Sequence, residues 1–271
     1  MITCRRLKIG LFGICINAGR RQECLYYTNH RSPPTDHHPP ITEPRPRPDA
    51  ATKLLEIIAA MSQVTTTSEY IPDKATLRVL REAVQHCHGC DLYRAATQAV
   101  FGEGPAKARL MLVGEQPGND EDLQGHPFVG PAGKLLDRAL QEAGIPRSEV
   151  YVTNAVKHFK FEERGKRRLH KKPRASEIKA CRPWLEAEVA RVQPEIIVCL
   201  GATAAQSILG NAFRLTKERG KFIQHPWASR VTATIHPSAI LRAPDEEQRH
   251  LAYRSFVADL ERVGSELKIA K

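Results

Sequence analysis

Long apolar runs are missing from this chain of 271 residues. No uninterrupted apolar stretch approaches the roughly 18 residues that a membrane-spanning helix requires. The sequence therefore argues against an integral membrane protein, and we expect a soluble protein of the cytoplasm. The length is sufficient for one large domain or two small ones with a substantial core.

Cysteine is too sparse and too irregularly placed for a disulfide framework. The seven cysteines form an odd number with uneven spacing, which argues against the disulfide framework of a small secreted protein. Only Cys87-His88-Gly89-Cys90 has the spacing of a pair of metal ligands. A reducing compartment and a bound metal or cluster account better for these cysteines than disulfides do.

Two common catalytic signatures are also absent. Gly133-Lys134 lacks both the following Ser or Thr and the upstream glycine spacing of a phosphate-binding loop. His236-Pro237-Ser238 is not part of the G-x-S-x-G turn that presents a nucleophilic serine. Nucleotide hydrolysis by a phosphate loop and serine hydrolase chemistry are therefore disfavoured.

The first part of the chain lacks the pattern of a folded domain. Residues 1–22 contain no acidic residue and have one short apolar patch between arginines, a weak likeness to a targeting segment. Residues 32–48 contain seven prolines, which disfavour helix and sheet. Since Met61 precedes the first globular pattern, we expect residues 1–72 to be a disordered or mis-assigned extension. We expect residues 73–271 to form the folded domain.

Positive charge is concentrated in one segment. The chain has a formal net charge of +11 and an isoelectric point near 9.5. Residues 157–174 hold nine Lys or Arg against two acidic residues and present His170 within a predicted basic loop. A solvated loop would have the same composition. A concentration of this size also fits binding to a polyanion, most often nucleic acid.

Alternating strands and helices predict an α/β fold. Short apolar runs predict strands at 108–113, 150–156, 195–200 and 230–235, and helical spacing predicts helices at 76–84, 131–143, 176–192 and 246–263. This alternation favours a parallel sheet covered on both faces. Ligands of such sheets bind at the carboxyl ends of strands, where this sequence carries GEQPG, TNAVKH and HPSAILR. The sequence therefore predicts one site formed by these three segments.

The motifs, taken in order, resemble the uracil-DNA glycosylase superfamily on its iron–sulfur, family-4 side. They are Gly102-Glu103-Gly104, Gly114-Glu115-Gln116-Pro117-Gly118, Pro127-Phe128-Val129-Gly130, Thr153-Asn154 and His236-Pro237-Ser238. Gln116, His158 and residues 166–170 are similar to the UdgX-type branch, which links itself covalently to uracil-containing DNA.

The resemblance extends over about residues 73–263 and implies an α/β fold, a three-layer α/β/α sandwich around a four-stranded parallel central sheet. It also implies a cytoplasmic, nucleoid-associated monomer that acts on uracil-containing DNA, with single-stranded DNA preferred.

The resemblance implies a role for each residue of the pocket. Phe128 would stack on the flipped base, and Asn154 would offer a donor and an acceptor to the uracil edge. His236 would steady the charge that grows on uracil O2, and Glu115 would support positive charge on the sugar. Gln116 would line the pocket. The structural alternatives are a core aromatic, a turn amide, a His-Pro turn and a helix-capping carboxylate.

His170 is the residue that distinguishes the covalent branch. A neutral imidazole can attack a cationic anomeric carbon, and this would leave a stable bond from His170 to the sugar C1′. Glu115 would orient the ring and take its proton. The resemblance implies that Lys166, Arg167 and Arg168 pin the loop and contact phosphates. The alternative is a phosphate-binding histidine in a mobile loop.

Further DNA contacts are implied after the last predicted strand. Residues 237–242 resemble the superfamily's minor-groove loop, where Ile240 or Leu241 would wedge into the base stack. Ser238 and Arg242 would contact the DNA backbone.

The resemblance also implies a 4Fe-4S cluster. Its ligands by position are Cys87, Cys90, His158 and Cys181, with Cys199 as the alternative fourth ligand. The cluster would staple both ends of the basic loop and take no part in a redox step. Zinc is the alternative metal, since three cysteines and a histidine also suit it.

Three hypotheses follow for the function. The first is a single-turnover uracil-DNA glycosylase, acting in DNA repair, that ends bonded to its DNA through His170. The second is an ordinary multiple-turnover uracil-DNA glycosylase. The third is a non-catalytic, metal-stapled DNA-binding module, against which Glu115, Asn154 and His236 together argue.

Overall fold

The computed structural model describes residues 67–267 of the chain. Almost all of the predicted extension, residues 1–72, lies outside this range, so the expectation of disorder there stays a prediction. Within the described range the chain begins with a short 3-10 turn, Thr67–Tyr70, that packs on a later helix. No helix in the described part of the chain is long and apolar enough to cross a membrane.

Strands and helices alternate along the described chain. The strands are β1 (Leu110–Gly114), β2 (Val150–Asn154), β3 (Phe161–Arg164), β4 (Arg167–His170), β5 (Ile196–Leu200), β6 (Ile223–His225) and β7 (Ala228–Thr234). The helices are α1 (Leu77–Val84), α2 (Asn119–Gln124), α3 (Pro131–Glu142), α4 (Ala175–Val192), α5 (Ala202–Leu209), α6 (Leu215–Glu218), α7 (Pro237–Leu241) and α8 (Glu246–Glu266).

Helix boundaries follow local sequence signals. The side chain of Thr76 caps α1 by accepting a hydrogen bond from the backbone of Val79, and Asp245 caps α8 in the same way. Pro131 occupies the first turn of α3, where its missing N–H leaves no helical hydrogen bond unmade. The predicted helices at 76–84, 131–143, 176–192 and 246–263 are therefore confirmed to within a few residues.

The central sheet has five strands in the order β2-β1-β5-β7-β6. The first four are parallel, as predicted, and Gly114 pairs with Asn154 at their carboxyl ends. The prediction of a four-stranded sheet is wrong, because β6 adds an antiparallel edge strand beside β7. Only three residues long and only partly buried, β6 has too short an apolar pattern to be recognised in the sequence.

Alternate residues of each strand face two different helical layers. In β1, Leu110 and Leu112 pack in the core beneath α3 and α8, while Met111 and Val113 pack in the core beneath α4 and α5. Strands buried on both faces in this way read as continuous apolar runs. The predicted three-layer α/β/α sandwich is confirmed.

The segment interpreted as a basic loop is largely a β-hairpin. Strands β3 and β4 pair antiparallel, with Phe161 opposite His170. Two residues connect them, and Gly165 has a φ of +60°, the conformation that a tight hairpin turn needs at its first central position. We call residues 161–170 the basic hairpin. The many charged residues of this segment obscure the alternating pattern of a β-strand in the sequence.

Candidate active site and cysteine cluster

A cavity of about 380 Å³ opens at the carboxyl end of the parallel sheet. Residues from the ends of β1, β2, β5 and β7 line it together with the last residue of the basic hairpin. The lining includes six residues predicted from the sequence: Glu115, Gln116, Phe128, Asn154, His170 and His236. Ser238 and Arg242, predicted to contact DNA, also line it.

Asn154 and Phe128 line the cavity together, and we call the space beside them the slot. A methyl group added to Gly114 would come within 2.3 Å of Oδ1 of Asn154 and 2.8 Å of Cζ of Phe128, so only glycine fits against these two side chains. The side-chain amide of Asn154 is buried and makes no hydrogen bond to another residue of the described range, which leaves it available to a ligand. Phe128 has the left-handed φ of +59°, a costly conformation that occurs at ligand sites.

The ring of His236 is neutral and has one defined tautomer. The backbone N–H of Ser238 donates to Nδ1 at 3.1 Å, so Nδ1 is the unprotonated nitrogen and Nε2 carries the proton. Burial, and then the nearby Arg242 and His170, lower the pKa of His236 to about 4. Its neutral N–H is thus a donor in the cavity, and its ring lies 6.3 Å from that of Phe128.

Glu115 and His170 approach each other at the mouth of the cavity. Nε2 of His170 lies 3.6 Å from Oε1 of Glu115. Burial lowers the pKa of His170 below the ordinary imidazole value; the Glu115 carboxylate opposes this and Arg242 reinforces it. A neutral imidazole therefore predominates at neutral pH, with a carboxylate beside it.

Gln116 holds the basic hairpin at both ends. Its Oε1 accepts from the N–H of Lys160 at 3.0 Å, and its Nε2 donates to the carbonyl of Lys171 at 2.9 Å. These contacts fix the orientation of the amide and place Nε2 2.9 Å from Nε2 of His170. Gln116 thus lines the pocket as predicted and also positions His170.

The three hairpin cations predicted to bind DNA are used differently. Lys166 and Arg167 are exposed and form no ion pair with another described residue. Arg168 is mostly buried, donates to Asp122 at 2.6 Å and to Asn119 at 2.9 Å, and lies over the Phe161 ring. Its guanidinium ties the hairpin to α2, which supports the pinning role and removes it from the surface that faces solvent.

The segment after β7 places its predicted residues in different environments. Leu241 is exposed, whereas Ile240 is buried in the core beneath α3 and α8, so of the two wedge candidates only Leu241 is available. Arg242 is exposed at the cavity. The hydroxyl of Ser238 lies 2.8 Å from Nδ1 of His236, so this serine acts on the histidine as well as lining the cavity.

Three of the predicted metal ligands gather on one side of the sheet. Cys87, Cys90 and Cys181 belong to or pack against a single apolar cluster, and none of them forms a disulfide. The indole N–H of Trp184 donates to the sulfur of Cys87 at 3.1 Å, and the backbone N–H of Lys157 donates to that of Cys181 at 3.2 Å. Hydrogen bonds to sulfur are a feature of iron–sulfur sites, so this donor set fits the implied cluster.

The remaining two candidate ligands differ in their positions. His158 is buried and close enough to His88, within the Cys87–Cys90 motif, to interact with it electrostatically. Cys199 lies inside β5, buried in the core beneath α4 and α5. Within residues 67–267, no group of three or more Cys, His, Asp or Glu side chains is arranged around one point as a single metal ion requires.

Sequence reasoning missed several polar residues that organise the site. The carboxylate of Glu121 accepts from the N–H groups of Gly118 and Gly130 and so joins two motif loops. Lys157 and Glu188 form a fully buried ion pair behind the pocket. The acidic residue in the first turn of α2 was a weak signal for Glu121, whereas nothing in the sequence pairs Lys157 with Glu188.

Comparison with known proteins agrees with this geometry. The model of the uracil DNA glycosylase superfamily matches residues 101–261. The type-4 uracil-DNA glycosylase of Thermotoga maritima is 37% identical over 193 residues, covering 71% of this chain and 95% of the relative. The type-4 enzyme of Archaeoglobus fulgidus is 37% identical over 180 residues, covering 64% of this chain and 86% of the relative.

A type-5 uracil-DNA glycosylase of Thermus thermophilus is more distant, with 32% identity over 138 residues, covering 45% of this chain and 59% of the relative. The matched residues contain the pocket and the basic hairpin, and the longer alignments extend over most of the described chain. The resemblance found in the motifs is confirmed at this level, and the chain belongs to the uracil-DNA glycosylase superfamily.

Proposed function

We propose that this protein is a uracil-DNA glycosylase of DNA repair that ends covalently bonded to its DNA through His170. The observation that carries the proposal is the place of His170. Its Nε2 lies in the cavity, within 3.6 Å of the Glu115 carboxylate, on a hairpin held by Gln116 and Arg168. The type-4 relatives support the glycosylase activity, and the hairpin supports the covalent outcome.

Recognition begins with the flipped base in the slot. A base inserted beside Phe128 stacks on its ring, and the free amide of Asn154 supplies one donor and one acceptor to the uracil edge. The neutral Nε2–H of His236 donates to uracil O2. Thymine carries a methyl group at C5, and the proposal requires the pocket to exclude it.

Bond cleavage separates charge across the pocket. When the bond between C1′ and N1 breaks, its electron pair moves onto the uracil ring, and the His236 N–H stabilises the negative charge at O2. The sugar gains positive character on the side where the Glu115 carboxylate lies. Stabilising charge where it develops is commonly the largest catalytic contribution.

The nucleophile is the unprotonated Nε2 of His170. Its lone pair forms the new bond to C1′, and the electrons of the broken bond leave with uracil. The alkylated ring then holds one proton on Nδ1, and it becomes neutral when that proton passes to water. Because His170 occupies the position from which water would attack C1′, the protein stays bonded to the sugar.

The surroundings of the pocket suit contact with DNA. Lys166, Arg167 and Arg242 are exposed cations around the cavity and the basic hairpin, where they would contact phosphates. Leu241, exposed after β7, would fill the space that the flipped base leaves. We expect a monomer, as the family resemblance implies.

A 4Fe-4S cluster would be held by Cys87, Cys90 and Cys181, with His158 as the fourth ligand. These residues flank the basic hairpin on both sides in sequence, so the cluster would supply structural cross-linking. Zinc remains the alternative metal, since three cysteines and a histidine also suit it. Iron and zinc analysis of the purified protein distinguishes the two.

The test is to mix the protein with a single-stranded uracil oligonucleotide and denature the mixture with detergent and heat. Phosphate contacts alone lose about 10³–10⁵-fold in affinity between roughly 50 and 200 mM salt, so no electrostatic complex survives. A band with the summed mass supports the proposal, and thymine DNA must give none. Free uracil released over many turnovers without a band would support an ordinary glycosylase. If neither free uracil nor the band appears, the result would support a DNA-binding module.

A further inference from the structure

A buried polar network lies behind the uracil slot. Lys157 and Glu188 are both completely buried, and Nζ of Lys157 lies 2.5 Å from Oε2 of Glu188. Neither residue lines the cavity, and neither is needed as a step in the chemistry proposed above. A buried ion pair is weak evidence for stabilisation, because apolar residues of similar volume often replace such pairs without loss. The pair therefore calls for another role.

The ammonium group of Lys157 reaches the residue that would recognise uracil. It donates to the backbone carbonyl of Asn154 at 2.7 Å and to the hydroxyl of Thr153 at 2.7 Å. Asn154 is the last residue of β2, where the strand ends and the chain turns. The ammonium group thus supplies the carbonyl of Asn154 with a donor from outside the sheet.

The backbone of Lys157 is fixed independently of its side chain. Its N–H donates to the sulfur of Cys181 at 3.2 Å, and its carbonyl accepts from the N–H of Val100 at 2.8 Å. The side chain therefore reaches back to Asn154 from an anchored position. A movement of Asn154 would have to break contacts at the ammonium group.

Glu188 fixes the other end of the network. One carboxylate oxygen accepts from the N–H of Gly102 at 2.9 Å and from the hydroxyl of Tyr151 at 3.0 Å. Thr153 donates to the same carboxylate, so the hydroxyl of Thr153 lies between the two charges. Burial and the Glu188 carboxylate raise the pKa of Tyr151, so its hydroxyl stays protonated and remains a donor.

We infer that Glu188 and Lys157 are positioning residues that set the place of Asn154 in the uracil slot. Glu188, on helix α4, acts through the Lys157 ammonium group on the backbone of Asn154, which carries the uracil-recognising amide. The inference rests on the proposed function and adds to it a determinant of base recognition that does not touch the base. It concerns the rate of uracil-dependent reaction and leaves phosphate binding unaffected.

The decisive variant is the double substitution Lys157→Met with Glu188→Leu, which replaces the charges by apolar groups of similar size. We expect it to fold at reduced stability, because Gly102, Tyr151 and Thr153 lose their acceptor. It should keep its iron content and bind undamaged single-stranded DNA within about twofold of wild type. The single-turnover rate on uracil DNA at saturating protein should fall by about tenfold or more, with little change in the half-saturating concentration.

Tyr151→Phe is the matched control, because it removes a donor to Glu188 and leaves the route from Lys157 to Asn154 intact. It should react within about twofold of wild type. If the double variant does not fold, Glu188→Gln takes its place, since it keeps an acceptor for Gly102 and Tyr151 and removes the charge facing Lys157. A rate loss in Glu188→Gln but not in Tyr151→Phe supports the inference.

Two results separate the inference from the function on which it rests. A folded double variant that reacts with uracil DNA at the wild-type rate would overturn the inference and leave the proposed function standing. Equal rate losses in Glu188→Gln and Tyr151→Phe would also overturn it, because both would then act through general stability. A wild-type protein that neither releases uracil nor bonds to DNA would overturn the proposed function itself.

Discussion

The side-chain amide nitrogen of Gln116 lies 2.9 Å from Nε2 of His170, and the same amide holds both ends of the basic hairpin. The residue after the proposed catalytic carboxylate thus determines where the proposed nucleophile lies. Gln116 is nearly buried, so its contacts are made away from bulk water. Loss of this side chain would loosen the base of the hairpin together with the ring.

Gln116→Ala should therefore slow adduct formation without abolishing it. The partly buried N–H of Lys160 would lose its acceptor, which costs about 1 kcal/mol of folding free energy, and the ring of His170 would become more mobile. We expect the single-turnover rate to fall about tenfold or more. Gln124→Ala, at an exposed position at the end of α2, is the control and should behave as wild type. An unchanged rate in Gln116→Ala would refute the positioning role.

The two neighbouring arginines of the basic hairpin should respond differently to substitution. Arg167→Ala removes an exposed cation, so it should weaken binding to all DNA and reduce the salt slope by about one per lost phosphate contact. Arg168→Ala removes the partner of buried Asp122, so it should lower stability by about 3–5 kcal/mol and slow adduct formation at an unchanged salt slope. Fluorescence anisotropy over a salt series and thermal unfolding distinguish the two. A smaller salt slope in Arg168→Ala would show that Arg168 contacts DNA phosphates after all.

The sequence predicted the site well because its residues follow strand ends. Parallel strands bring their carboxyl ends together, so GEQPG, TNAVKH and HPSAILR had to meet once the four parallel strands were recognised. The family resemblance supplied the role of His170, which lies on the basic hairpin and follows no strand of the parallel sheet. Arg168 was placed among the DNA contacts because a run of cations does not reveal which one is buried.

Two features depended on contacts that sequence patterns do not contain. Strand β6 is stabilised by pairing with β7 and not by an apolar pattern of its own, and three residues give too little periodicity to detect. Lys157 and Glu188 are 31 residues apart and meet only because α4 packs against β2. A lysine in a basic segment and a glutamate on a helix both suggest solvent exposure from sequence alone.

Cys181→Ala should remove the cluster. Iron content and absorbance at about 400 nm should both disappear. Most of the soluble protein should also be lost, because binding of a metal site contributes directly to folding. Cys199→Ala is the matched control, since burial raises the pKa of both thiols to about 12 but Cys199 lies inside the sheet. We expect Cys199→Ala to keep its iron. Loss of iron in Cys199→Ala instead of Cys181→Ala would show that the proposed ligand set is wrong.

Adduct formation should be insensitive to pH around neutrality and should fall in acid. The neutral ring of His170 is the reactive form, and burial lowers its pKa below the ordinary value of about 6.5. The rate is therefore at its maximum when the pH is above the ordinary imidazole pKa. It falls as the pH drops through the lowered pKa of His170. His236 stays neutral over that range because its pKa is about 4. Single-turnover rates between about pH 5 and pH 8 provide the measurement. A decline that begins above pH 7 would contradict the lowered pKa.

His170→Ser should convert the protein from bonding to DNA into releasing uracil. The slot, the His236 donor and the Glu115 carboxylate remain in this variant, so the bond between C1′ and uracil can still break. The introduced serine side chain is smaller than the imidazole and is a weak nucleophile at its free pKa, so water reaches C1′ and leaves an abasic site. On a denaturing gel the band of summed mass should vanish, while alkali should now cleave the oligonucleotide at the uracil position. Glu115→Gln should reduce the yield of the adduct in the otherwise wild-type protein and of the abasic site in His170→Ser, because it removes the charge beside the developing cation. A heat-stable band that persists in His170→Ser would assign the nucleophile to another residue.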